Sequence, residues 1–284
     1  MSVIVNTNVQ SLIAQRNLGH STDKLSKATE RLSTGAKINH ASDDAAGLFI
    51  AKGLEAQLSG SMQCKTNIAL AINVLQIAEG DLSTIQDNIV RIKDLATQAA
   101  SGVYSSASRN AIQSEIDFRL QEIDRIATSS SFNGFTLLDG NSALTNGLRI
   151  QVGCGSDDTR NAVTISSVFV SCKTTDIGLD TANVSVSTAA ISAATIQFCE
   201  DAFNEITQRR TNIGVAQSRL EMAGEGLTTT IENISSAKST IMDTDVAETT
   251  AEYTKQQILQ QLSTAVLLQA NQASQIALTL MQGG

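Results

Sequence analysis

Ile206, Ile213, Leu220, Leu227, Ile234 and Ile241 follow one another at an unbroken seven-residue spacing, and the chain contains no proline. A side chain repeated every seven residues returns to the same face of an α-helix after two turns, and a stripe sustained this long needs a partner helix to cover it. Ala216, Ala223 and Ala237 stand three residues after Ile213, Leu220 and Ile234, so small side chains accompany large ones, as in closely packed helices. Proline would remove a backbone donor and clash with the preceding turn; its absence from 284 residues leaves long helices unbroken.

A second stripe comprises Ile68, Ile72, Leu75, Leu82, Ile85, Ile89 and Ile92, with Glu79 its polar interruption. Shorter ones occupy the two ends: Leu18, Leu25, Ala28 and Leu32, then Leu259, Leu262, Val266, Ala273, Ile276 and Leu280. The run SGVYSS at 101–106 breaks the pattern and predicts a turn, after which Ile112, Ile116, Ile123 and Ile126 define another helix. Only about 132–190 changes character. There Gly and Asn punctuate alternating runs such as Leu148, Ile150, Val152 and Val163, Ile165, which predict one or two β-hairpins.

The fold class that follows is mainly α: a long antiparallel helical bundle or coiled coil with a small β-hairpin region, its N- and C-terminal helices lying alongside each other. A helix from Asp44 to Ala100 would extend on the order of 80 Å, far beyond a compact domain of this size. Such a rod exposes sides that require partners.

Composition narrows the function. With 42% hydrophobic residues the chain can bury a core, and with 3% aromatics and no Trp that core is Leu, Ile, Val and Ala. A net charge of -8 and the lack of a basic run argue against nucleic acid and against an anionic membrane surface. No apolar run of eighteen residues occurs, and the N-terminus lacks a charged lead and a sustained apolar segment, so neither a membrane span nor a cleaved signal peptide is expected. Residues 1–40 carry five Lys or Arg and two Asp or Glu, whereas 243–284 carry one and four, so the ends have opposite charge. Exposed pairs contribute only ~0 to 1 kcal/mol each, which leaves association to the apolar stripes.

Chemistry has little to work with. His20 and His40 are the only histidines, and neither belongs to a metalloprotease, nucleophile-elbow or phosphate-loop motif. Cys64, Cys154, Cys172 and Cys199 show no CxxC or CxxH spacing; buried free thiols and a Cys154–Cys172 pairing both remain open. Asp43 and Asp44 directly precede a helical stretch and read as helix caps, and Asp243 and Asp245 as a junction or second cap. No catalytic residue, metal site or cofactor is expected, and the chain reads as a non-enzyme.

VNTNVQSLIAQRNL at Val5–Leu18 and LSTGAKINHASDDAAGLFIA at Leu32–Ala51 closely resemble bacterial flagellin. FNGFTLLDG at Phe132–Gly140, RTNIGVAQSRLE at Arg210–Glu221 and DTDVAETTAEYTKQQILQQLSTAVLLQANQ at Asp243–Gln272 extend the resemblance in the family's order. It covers about 1–140 and 197–284. Thr240, Ser218, Ser274 and the terminal MQGG depart from the family's usual pattern.

The resemblance implies a short flagellin without large outer variable domains, which self-assembles into the flagellar filament that propels swimming. The hook-filament junction protein is the alternative. It implies an inner-core coiled coil of 1–42 and 243–284 packed through Leu18, Leu25, Leu32, Leu259, Leu262, Val266, Ile276 and Leu280. An outer core of 43–242 follows, packed through Ile213, Leu220, Leu227 and Ile234. It further implies an extracellular location reached through the flagellar type III export apparatus, with an export chaperone, cap and hook-junction proteins as partners. Arg91, Leu95 and Glu115 match positions through which relatives contact a host toll-like receptor; apart from that role, Leu95 is expected to pack between neighbouring subunits.

Overall fold

The computed structural model describes residues 7–140, 147–166 and 168–282, with the backbone alone at 158, 274, 275 and 277–282. In order along the chain are α1 (Val9–Thr34), α2 (Ala45–Ala100), α3 (Ser106–Ser129), β1 (Ser131–Phe132), β2 (Phe135–Thr136), β3 (Leu148–Gln151), α4 (Asp158–Asn161), β4 (Ala162–Ile165), α5 (Ala189–Met242) and α6 (Val246–Gln282). The predicted mainly helical class holds. The chain divides into two compact units, 1–57 with 233–284, and 58–232, so α2 and α5 each contribute to both.

Helix ends follow the local chemistry. Asn8 caps α1 by accepting from the Ser11 amide at 3.0 Å, and the helix stops at Gly35, whose φ of 71° suits a residue without Cβ. Asp44 accepts from the Gly47 amide at 2.9 Å, and Asp245 from the Ala247 amide at 2.8 Å, so the carboxylates before α2 and α6 serve as caps. The SGVYSS turn separates α2 from α3, with the Ser105 hydroxyl accepting from Ser108 N at 3.2 Å.

In the 58–232 unit the stripe of α2 is the core. Leu75, Leu82, Ile85, Ile89 and Ile92 are fully buried with Ile116 and Ile123 of α3 and Ile206, Ile213 and Leu220 of α5, while Ile72 and Leu227 pack at its margin. The polar interruption Glu79 reaches Arg210 of α5 at 3.5 Å. α2 is also long and apolar enough to cross a membrane, although polar residues interrupt its apolar runs. Its apolar stripe is spent on helix packing.

Two hairpins cover one side of this core. β1 and β2 turn through Asn133 and Gly134, at φ 48° and 81°, the two consecutive positive values that a tight hairpin turn requires. β3 pairs antiparallel with β4, Ile150 opposite Val163, as their alternation predicts. Leu137, Leu138, Val168, Phe169 and Leu179 seal the core. Arg209, 7% exposed, anchors the covering segment by donating to the Ser171 carbonyl, to Cys172 Sγ at 2.9 Å and to Glu205.

The other unit centres on α1 and α6. The backbone places them antiparallel: Ala36 bridges Asp243 at one end, and Asn8 Nδ2 donates to the Ala270 carbonyl at 2.9 Å near the other. Gln260 Nε2 donates to Thr22 Oγ1 at 3.1 Å between them. Ile38, Ala51 and Ile234 are buried in the same unit, where Lys238 of α5 approaches Glu55 of α2 at 3.4 Å.

A candidate assembly face

The large apolar residues of α1 and α6 do not form the seam between them. On α1 the buried positions are Ala14, Ser21 and Ala28, seven apart; on α6 Thr249 and Gln256 are buried, and Ser263 and Ala270 continue that spacing half-buried. Small and polar side chains at the heptad seam let two helices approach closely while gaining little from apolar burial. Ser11 Oγ donates across the pair to Asn271 Oδ1 at 2.9 Å, while within α6 the seam residue Gln256 donates to Glu252 at 2.6 Å.

Leu18, Leu25 and Leu32 stand four residues after Ala14, Ser21 and Ala28, which places them at the margin of the seam, half-buried. Leu259, Leu262, Val266 and Ile276 on α6 lie on the surface, 37%, 55%, 52% and 60% exposed. The side chain of Leu280 lies outside the described residues. Of the seam only Ala28 is legible among the terminal stripes, and Val9, Leu12, Ile13, Ile258 and Leu268, exposed on the same two helices, are not among them. The missed signal was present: small and polar residues recurring every seven positions carry the same period as the leucines. With a seam already closed by Ala, Ser, Thr and Gln, the larger side chains are left on the surface.

Charge is arranged to match. A cleft in this unit is lined by Lys24, Lys27, Arg31 and Lys37 on one side and Asp243, Asp245, Glu248 and Glu252 on the other, where the opposite charges of the two ends meet. Asp43 accepts from the His40 amide at 3.2 Å and from Lys27 at 3.2 Å, and these bonds, the first leading, hold its carboxyl below the ordinary value. The Glu252 carboxyl is likewise lowered, first by Gln256 and then by Lys255.

The expected outer-core positions separate. Ile213 and Leu220 are fully buried and Leu227 is at the core margin, all in the 58–232 unit; Ile234 is buried in the other unit. Arg91 and Glu115 pair on the surface at 2.8 Å, but Leu95 does not lie beside them as a surface residue. It is 2% exposed within the core of its own subunit, which corrects the expectation that it packs between subunits. Its place in the apolar stripe, three residues after Ile92, is the physical reason. The pairing left open for Cys154 and Cys172 is also not formed: no disulfide joins them, and Cys172 is held by Arg209. Burial pushes the Cys172 thiol up, and pushes Cys199 up to about 12. Among the described residues no three His, Cys, Asp or Glu side chains gather as a metal site.

The fold and this face define an α-helical protein whose terminal helices close on small and polar residues and carry large apolar side chains on their exterior. Residues 5–143 match the bacterial flagellin N-terminal helical region, and residues 196–281 the bacterial flagellin C-terminal helical region. The chain is 36% identical over 287 residues to flagellin FlaB1 of Treponema pallidum (strain Nichols), covering 99% of this chain and all of that protein. It is 35% identical to the flagellar filament 33 kDa core protein of Treponema phagedenis, over the same shares of both chains. A putative flagellar hook-associated protein from Vibrio parahaemolyticus shares the fold at a TM-score of 0.58 and 16% identity, over 70% of this chain and 99% of that one. The chain belongs to the bacterial flagellin family.

Proposed function

We propose that this chain is a structural subunit of the bacterial flagellar filament, assembling with copies of itself through the apolar exterior of α1 and α6. The observation that carries the reading is the division of labour between a seam of Ala14, Ser21, Ala28 and Gln256 and the exposed Leu259, Leu262 and Val266. Full-length similarity to proteins described as flagellin and filament core protein supports it. The hook-junction alternative has weaker support, because its likeness is one of fold at 16% identity.

The finer expectations fit this reading. The subunit would pass unfolded through the flagellar export apparatus with a chaperone, join beneath a cap beyond the hook-junction proteins, and work in the extracellular filament. The role is mechanical and involves no catalytic step. For a host receptor, the surface pair Arg91 and Glu115 is available in the folded subunit, whereas burial of Leu95 argues against a contact through all three residues.

Seeded growth tests the proposal. Purified monomer is incubated with short filament seeds at neutral pH, beside a version lacking 243–284, and viewed by electron microscopy. Elongation by the full chain alone supports a filament subunit whose terminal helices are required; no elongation by either favours a junction role.

A further inference from the structure

Cys154 lies in the β3–β4 connection and rests against α2 at a place where the helix makes room for it. A Cβ built on Gly60 would come 2.9 Å from the Cys154 sulfur and 3.3 Å from its Cβ, so the bare glycine leaves the thiol its seat. Ser61 Oγ lies 3.3 Å from the same sulfur. Cys64 is one helical turn beyond Gly60, and side chains on a helix lean back over the preceding turn, which directs its thiol toward that seat. Burial, then the neighbouring Cys154, raises the Cys64 thiol. Cys64 is buried and Cys154 is exposed. An accessible thiol thus neighbours a concealed one, whereas Cys172 is enclosed with Arg209 and Cys199 is fully buried.

We propose that Cys64 and Cys154 form a covalent modification site, at which a small-molecule disulfide oxidises the two thiols to one intramolecular disulfide. Cys154, as thiolate after losing its proton to solvent, attacks one sulfur of the small disulfide; a mixed disulfide forms and one small thiolate leaves and takes up a proton. Cys64 then loses its proton, attacks the Cys154 sulfur and expels the second small thiolate. Two protein thiols are oxidised and one small disulfide is reduced to two thiols. The product closes a loop of roughly 90 residues and ties the β3–β4 connection to α2, constraining the unfolded chain. This site is independent of the filament reading.

The test uses the full chain, reduced, desalted and incubated with glutathione disulfide. Remaining thiols are blocked in denaturant, and intact mass and peptide mapping follow. The expected product is a monomer lighter by two hydrogens, with the Cys64 and Cys154 peptides joined. A Cys154→Ser variant, altered at an exposed position and checked for helicity by circular dichroism, should yield no such species. The proposal is overturned if the wild-type chain stops at a glutathione adduct on Cys154, if Cys154 links to a second chain, or if it links to Cys172.

Discussion

Ala36 pairs with Asp243 in an isolated antiparallel bridge, flanked by the Lys37 amide donating to the Met242 carbonyl at 2.6 Å and the Thr244 amide donating to the Gly35 carbonyl at 3.0 Å. Two segments far apart in sequence are thereby locked at the point where α1 ends and α6 begins. The bridge sets the register in which Ala14, Ser21 and Ala28 become the closed side of α1. The same register determines which residues remain open.

The segment after this bridge is crowded at one glycine. A Cβ on Gly47 would collide with the Asp44 carboxylate and stand 2.8 Å from Ile38 Cδ1, whereas a Cβ on Gly53, on the same helix, meets nothing within 4 Å. Gly47→Ala is expected to destabilise the monomer by about 1–3 kcal/mol through overpacking and a displaced cap. Gly53→Ala should stabilise it by roughly 0.5–1 kcal/mol as an ordinary helix interior substitution. Urea denaturation of both variants checks the opposite signs.

Asp43 makes a pH prediction. Its folded carboxyl is lowered relative to the unfolded chain by the His40 amide and Lys27. The stability it contributes is therefore fully present above the unfolded value, about 4, and is lost as pH falls through the lower folded value. Asp43→Asn should be less stable than the parent at pH 7, with the gap closing in the acid range below about 4. Thermal denaturation across pH measures it, and a gap independent of pH contradicts the assignment.

Leu95 and Arg91 are four residues apart but should respond very differently. Leu95→Ala removes a side chain that is 2% exposed and is expected to cost about 2–5 kcal/mol. Arg91→Ala breaks a surface pair with Glu115 and should cost about 0–1 kcal/mol. Equal small effects in chemical denaturation would show that Leu95 is not in the core.

Arg209→Met keeps much of the side-chain volume but leaves the Ser171 carbonyl and Glu205 without their buried cation. A loss of about 2–4 kcal/mol is expected. Faster hydrogen exchange at 168–174, measured beside the denaturation midpoint, would locate the effect in the segment that Arg209 anchors.

Much of the fold was legible because its signals are periodic. The stripe from Ile68 to Ile92 and the repeat from Ile206 to Leu220 are the core, and the alternation of Ile150 with Val163 and Ile165 is a hairpin. The caps Asp44 and Asp245 were readable from residue type and place. What escaped was the direction in which the terminal stripes face. Ala14, Ser21, Thr249 and Gln256 contribute little apolar signal, so the eye follows Leu18 and Leu262, although a close helix pair prefers the smaller set at its seam. Arg209 escaped for a different reason: a charge becomes a buried anchor only when a distant carbonyl, here that of Ser171, is folded over it.

The proposed assembly requires the exposed apolar residues of α6 to bind another copy of the chain. Leu262→Asn and Val266→Asn together alter side chains that are 55% and 52% exposed, so the monomer should keep its helicity and denaturation midpoint to within about 0.5 kcal/mol. The measurement is seeded elongation followed by sedimentation and electron microscopy. The double variant should stay in the supernatant as monomer while the parent chain grows filaments. Growth of the double variant at the parent rate would contradict it.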